Sequence, residues 1–160
     1  MTITEVIVRF TGAVLVGGSI GLNRDLRGKP AGVRTHALVC LGAAVLTVVA
    51  GTGAGADAAS VSRVMQGIVT GIGFIGAGVI LRGKSGKSVR GLTSAATIWI
   101  VAVLGMACGV ARWEAAALGA GFTLFVLVVG GPVERLFHRL MGSRASVEGP
   151  PNPSGGGPVA

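Results

Sequence analysis

The chain has 160 residues, about one domain by length. Hydrophobic residues make up 51 % of it and charged residues 12 %, with 29 glycines, a mean hydropathy of +0.75 and a net charge of +8; a soluble domain carries about 25 % charged residues. This composition excludes a disordered chain, a coiled coil and a disulfide-knit secreted scaffold, and the lack of a Gly-X-Y period excludes collagen, which leaves an integral membrane protein.

Five apolar runs are long enough to span a bilayer: Val6–Leu22, Ala37–Ala56, Val64–Leu81, Leu92–Ala111 and Ala115–Val133. Each matches a hydrocarbon core about 30 Å thick at 1.5 Å rise per residue. The runs are apolar all round, so they predict helices and not the alternating strands of a membrane barrel. The first carries Arg9 near its start, where the side chain is expected to snorkel to the interface. It is too long and too glycine-rich for a cleaved signal, and no Ala-x-Ala site follows it. The fold class is therefore all-α, a polytopic membrane protein with five transmembrane helices.

The loops between the runs orient the bundle. The first holds Arg24, Arg27, Lys29 and Arg34, the third Arg82, Lys84, Lys87 and Arg90, and the C-terminal stretch Arg135, Arg139 and Arg144. These are eleven of the 14 basic residues. The positive-inside rule places the N-terminus outside and the C-terminus in the cytoplasm. Clustered in loops, with no Tyr, five Phe and two Trp beside it, the positive charge indicates a lipid bilayer as partner and no nucleic acid. Residues 1–133 are expected to form the transmembrane domain. Residues 134–142 follow as an amphipathic interfacial segment after Pro132, and residues 143–160 as a disordered cytoplasmic tail.

Small residues mark helix contacts in lipid. Gly17 and Gly21, Gly67 and Gly71, and Gly105 and Gly109 are GxxxG pairs. The third run adds Gly73 and Gly76 and predicts the most crowded helix, at the bundle centre or at a homodimer seam. Gly71-Ile-Gly73-Phe-Ile-Gly76 also fits GxGxxG, but no strand precedes it and no acid follows about 20 residues on, so it is not a dinucleotide loop. Gln66 and Thr70 are expected in helix contacts.

The polar residues divide by membrane side. Asp25, Arg34, Thr35 and His36 read as a cytoplasmic polar cluster, with Asn23 able to join it; their structural alternative is a positive-inside anchor with a turn at Lys29–Gly32. Thr93, Ser94 and Thr97 open the fourth run on the same side. Thr93 and Thr97, four residues apart, share a face and either meet the first-loop cluster or bond their own helix. In the outer loop Asp57 reads as a helix cap or an ion-pair partner of Arg63. Cys40 and Cys108 read as small buried hydrophobes. His36 and His138 stand apart from other metal-ligating residues, so no metal site is expected. No nucleophile–base pairing or phosphate loop is present to suggest an enzyme.

GLNRDLRGKPAGVRTHALVCLGAAVLT, the outer loop with Asp57 and Arg63, GIGFIGAGVIL and VRGLTSAATIW occur in this order. Together they resemble the MgtC/SapB family of bacterial membrane proteins over roughly residues 5–130. The resemblance implies an inner-membrane protein of about five helices, linked to growth in low magnesium and to survival of pathogens inside macrophages. It implies a regulator acting on the F-type ATP synthase, although many members are labelled magnesium transporters. It carries the family's polar positions onto Asp25, Arg34, Thr35, Asp57, Arg63, Thr93 and Thr97. The chain departs from the family in having Asn23 for a frequent Glu and Ser94 for a common Thr. It also reads as a short form lacking the soluble C-terminal domain. Two functions follow: a regulator working through membrane partners or a second copy, and a Mg²⁺ transporter or channel. No other cofactor is indicated. Asp25 and Asp57 lie at opposite edges, and no acid lies at the midplane, where a transporter would bind its ion.

Overall fold

The structure, a computed structural model, describes residues 1–52, 55–82 and 89–142. Five helices follow one another: α1 Ile3–Leu26, α2 Val33–Thr52, α3 Ala58–Val79, α4 Leu92–Gly109 and α5 Trp113–Gly142. All five are long and apolar enough to cross a bilayer, so the chain is a multi-pass membrane protein. Between α3 and α4, the two-residue strands β1 (Leu81–Arg82) and β2 (Val89–Arg90) pair antiparallel, Leu81 opposite Arg90. Lys84, Lys87 and the tail expected at residues 143–160 lie outside the described residues.

The helix ends show why the apolar runs underestimate the helices. α1 begins with a capping box: Glu5 N–H donates to Thr2 Oγ1 at 3.3 Å and Thr2 N–H to Glu5 Oε2 at 2.9 Å. It continues one turn past Leu22 through Asn23, Arg24 and Asp25. α2 starts four residues before Ala37, because Val33 N–H donates to the Asp25 carboxylate at 2.9 Å. α3 is capped by Asp57, whose Oδ1 accepts from Ser60 N–H at 2.7 Å. Arg63 donates to Ser60 Oγ at 3.0 Å, so the cap, and not the ion pair, is the structure's choice for Asp57.

That cap gives α3 a pH-sensitive end. The Ser60 hydrogen bonds hold the Asp57 carboxyl below the usual carboxylate range. The cap is thus fully formed above that range and is lost as pH falls through the depressed pKa. Asp57→Ala is expected to speed amide hydrogen exchange in the first turn of α3 at neutral pH, as acid does in the wild type. Asp57→Asn is expected to retain slow exchange and to remove the acid dependence. Equal exchange in all three proteins at all pH values would rule the cap out.

The centre of the bundle is α4, which packs on α1, α2 and α3 and buries ten of its residues. This corrects the first of the two placements expected for α3, the bundle centre, since α3 buries only Ile72 and Gly76. Glycine permits a close approach only where a partner helix arrives. A Cβ on Gly17 would lie 2.5 Å from the His36 carbonyl oxygen, and one on Gly21 2.6 Å from Val33 Cα. On Gly109 it would lie 2.8 Å from the Ala44 carbonyl oxygen, and on Gly105 it would run into the carbonyl of Cys40. By contrast, Gly67, Gly71 and Gly73 have nothing within 4 Å, and Gly76 makes an ordinary 3.7 Å contact with Ala95. Gln66 and Thr70 face outward too, Thr70 Oγ1 donating at 2.9 Å to the Gln66 carbonyl of its own helix, so they make no helix–helix contact within the chain.

Residues 1–127 form one compact unit. Within it, Ala116, Ala120 and Leu127 of α5 join a core with Ala13 and Ile20 of α1, Cys40 of α2 and Leu104 of α4. Cys40 and Cys108 are free thiols buried in that core. A second unit begins at Val128. The segment expected at 134–142 is helical and continuous with α5, which passes through Pro132 without ending there.

Candidate functional site: a buried polar layer between α1, α2 and α4

The end of α1, the start of α2 and the start of α4 meet in a layer of polar side chains. Two close approaches bring them together. Without a Cβ, Gly21 admits the backbone of Val33, and Gly32 leaves the space that the Asp25 carboxylate occupies. The connection between them turns through left-handed residues, Gly28 at φ +58° and Ala31 at φ +62°.

Arg24 is buried to 3 % exposure and donates from Nη2 to Ser94 Oγ at 2.7 Å. His36 is fully enclosed. Its Nδ1 lies 2.9 Å from the Gly32 carbonyl, and its Nε2 lies 3.0 Å from Thr97 Oγ1. A carbonyl can only accept, so a ring proton sits on Nδ1; Nε2 then accepts from the Thr97 hydroxyl when the ring is neutral and donates to Thr97 Oγ1 when it is protonated. Thr97 Oγ1 also lies 2.8 Å from the Ser94 carbonyl. With a single proton, the hydroxyl serves one of these two acceptors at a time. Among the described residues, Arg24 Nε and Asn23 Oδ1 are buried without a hydrogen-bond partner.

The sequence-predicted residues divide accordingly. Thr97 and His36 enter the layer, and Asn23 stands half-buried at its edge. Asp25 does not: it is exposed and caps α2, where a carboxylate meets the positive end of the helix dipole. Arg34 and Thr93 are exposed, and Thr35 is half-buried with no side-chain hydrogen bond in the layer. Of Thr93 and Thr97, expected either to meet the first-loop cluster or to bond their own helix, Thr97 does both and Thr93 is exposed, the packed stripe running through Ser94, Thr97 and Val101. Arg24 joins the layer although the sequence presented it as a loop charge, and Ser94 meets it there from the start of α4. The signal for Arg24 was its spacing: it lies three residues after Gly21 and seven after Gly17, on the same packed stripe.

At the opposite end of the bundle, Arg9 does not simply snorkel. Its Nη1 donates at 2.6 Å to the carbonyl of Gly109, the last residue of α4, where a cation meets the negative end of the dipole. Asp57 and Arg63 also lie at this end, by sequence an α2–α3 turn away from the polar layer.

The layer offers N–H and O–H donors around a permanent guanidinium charge. A hard divalent cation takes oxygen ligands, usually with one or two carboxylates. Among the described residues no group of three or more His, Cys, Asp or Glu could hold a metal ion.

Comparison with known proteins adds a lineage to this geometry. The model of the MgtC family matches residues 10–136. Protein SrpB of Synechococcus elongatus is 45 % identical over 125 residues, covering 72 % of this chain and 69 % of SrpB. The Escherichia coli K12 protein named "Putative magnesium transporter YhiD" is 41 % identical over 143 residues, 85 % of this chain and 62 % of YhiD. Protein MgtC of Brucella abortus strain 2308 is 44 % identical over 129 residues, 81 % of this chain and 51 % of that protein. The chain thus spans between half and about seven tenths of the length of these relatives. No solved structure matches it.

Proposed function

The chain belongs to the MgtC family, and from that membership we propose that it is a bacterial inner-membrane regulator in magnesium homeostasis, acting through helix contacts with membrane partners. In this reading the N-terminus is outside and the C-terminus cytoplasmic, as the loop charges require. The observation that carries it is the outer face of α3. A Cβ on Gly67 or Gly71 would meet nothing within 4 Å, the two glycines opening onto an apolar groove shared with Leu38, Gly42 and Leu46 of α2, and Gln66 and Thr70 are exposed beside them. A polar amide and a glycine pair inside a span are costly or idle against lipid, and useful against another helix. A second copy of the chain is the simplest occupant, and a subunit of the F-type ATP synthase is the one the family resemblance adds.

The magnesium-transport reading is favoured by the printed name of YhiD. Against it stands Arg24, a fixed positive charge within the packed layer, where a conducted dication would meet repulsion. Two measurements separate the readings. Protein reconstituted with a trapped magnesium-sensitive dye is expected to show no flux above empty liposomes. A Gly71→Cys variant is expected to form a disulfide or dimaleimide cross-link across the α3 face in native membranes. Flux that Asp25→Asn abolishes would overturn the regulatory reading, and so would a Gly71→Cys protein that captures neither itself nor a partner.

A further inference from the structure

We propose that the corner of α1 formed by Asn23, Arg24 and Arg27, with Ser94 of α4, is a binding site for a phosphate group. Among the described residues no acid balances the charge of Arg24. Arg24 is 3 % exposed and cannot lose its proton. A buried charge is costly unless it is both paired and hydrogen-bonded. Among the described residues its one side-chain partner is the neutral Ser94 hydroxyl, and its Nε–H has none. The nearest acid in sequence, Asp25, is engaged with Val33 N–H.

Arg27 makes the imbalance larger. It lies one turn further along α1, on the same side as Arg24. Its Nη1 donates to the Leu127 carbonyl at 2.7 Å, which holds the side chain back along the bundle. The two residues stand on one side of the helix end, and among the described residues the acceptors of their guanidinium groups are the neutral Ser94 hydroxyl and Leu127 carbonyl, Arg27 being exposed. An anion supplied from outside the chain neutralises both.

The donors select the anion. Guanidinium groups match the oxygens of a phosphate with parallel hydrogen bonds, which a point charge such as Lys cannot do. The unpartnered Asn23 amide is the third contact, since a half-turn of that group presents Nδ2–H where Oδ1 now stands. The corner is also at a suitable depth. α1 leaves its apolar stretch at Leu22, and Lys29 and Arg34 are exposed in and just beyond the turn that follows. This is where basic residues between helices meet lipid headgroups. The shared chemistry is a phosphate oxyanion, carried by an anionic lipid or free in solution.

The test is thermal unfolding of the full chain in a neutral detergent. Phosphatidylglycerol, the phosphate-free lipid diacylglycerol or inorganic phosphate is added to wild type, Arg24→Gln, Arg27→Gln and the exposed control Arg34→Gln. A ligand that binds only the folded state at one hundred times its Kd shifts the folding equilibrium about 100-fold. Phosphatidylglycerol is expected to raise the midpoint of wild type and of Arg34→Gln equally, and that of Arg27→Gln by less than half as much. If Arg24→Gln does not fold, Arg27→Gln carries the comparison. A rise with inorganic phosphate, subject to the same variant pattern, assigns the site to free phosphate and sustains the proposal. No rise with either phosphate source, an equal rise with diacylglycerol, or equal rises in Arg27→Gln and Arg34→Gln would overturn it.

Discussion

Gly105→Leu is expected to prevent stable folding, whereas Gly71→Leu is expected to leave the unfolding midpoint of the isolated chain unchanged. Both positions are glycines in apolar, glycine-rich helices, so composition does not separate them. Their surroundings do. A Cβ on Gly105 would run into the Cys40 carbonyl and lie 3.0 Å from the Ala43 Cβ. The obstacle is backbone, so relief requires α2 and α4 to separate. These helices form the middle of the core, with Val101 and Leu104 of α4 beside Cys40 and Ala44 of α2. Overpacking typically costs about 1–3 kcal/mol and more when backbone must move, against a total stability of about 5–15 kcal/mol. Gly105→Ala is expected to move the midpoint in the same direction by less. Size-exclusion chromatography after a heat step reads all three variants. A Gly105→Leu protein that survives heating like the wild type would show that α2 and α4 do not meet there. The other half of the argument is tested by Gly67→Leu in the Gly71→Cys background, which should abolish cross-linking across α3 while the chain itself stays folded.

The second large effect is at Ser94. Ser94→Ala is expected to destabilise the protein by about 1.5–3 kcal/mol, the usual contribution of a hydrogen bond to a charged group. The serine is 1 % exposed, so water does not replace the lost hydroxyl easily, and Arg24 Nη2 joins Nε as an unpartnered buried donor. Ser94→Thr, the residue common in the family, keeps the hydroxyl and is expected to cost far less. Pairing Ser94→Ala with Arg24→Met should show strong non-additivity, because an apolar side chain no longer needs the partner that was removed. Denaturant unfolding of the two single variants and the double variant gives the coupling. Additive costs would mean that Arg24 and Ser94 do not act as a pair.

These two sites mark where the sequence was legible. Gly17, Gly21, Gly105 and Gly109 were readable as packing glycines, and each of them does meet a neighbouring helix closely. Gly67, Gly71 and Gly73 have the same local pattern and meet nothing within the chain. The motif records that a backbone can be approached; it holds no information about which helix arrives. Arg24 shows the same limit in a polar residue. Four basic residues in one loop fit a positive-inside anchor, and that description suits the exposed Arg34. One turn of extra helix carries Arg24 inward instead, because Asp25 caps α2 and draws the two helix ends together.

The sequence by itself determined the number of spans and their nature as helices. Each of these follows from properties local to a stretch of chain. Transfer of twenty apolar residues into lipid is favourable wherever they stand, and backbone in lipid must satisfy its own hydrogen bonds. Only the tertiary structure decided that α4 and not α3 is central, that Asp25 is a cap, and that Arg24, His36, Ser94 and Thr97 form one layer. Those facts depend on pairs of faces meeting. All five helices are nearly uniform in hydropathy, so burial within the bundle has no compositional signature along the chain. Steric fit between backbones selects the partners, and the contacts it makes at Gly21, Gly32 and Gly105 are fixed by residues that lie far apart in sequence.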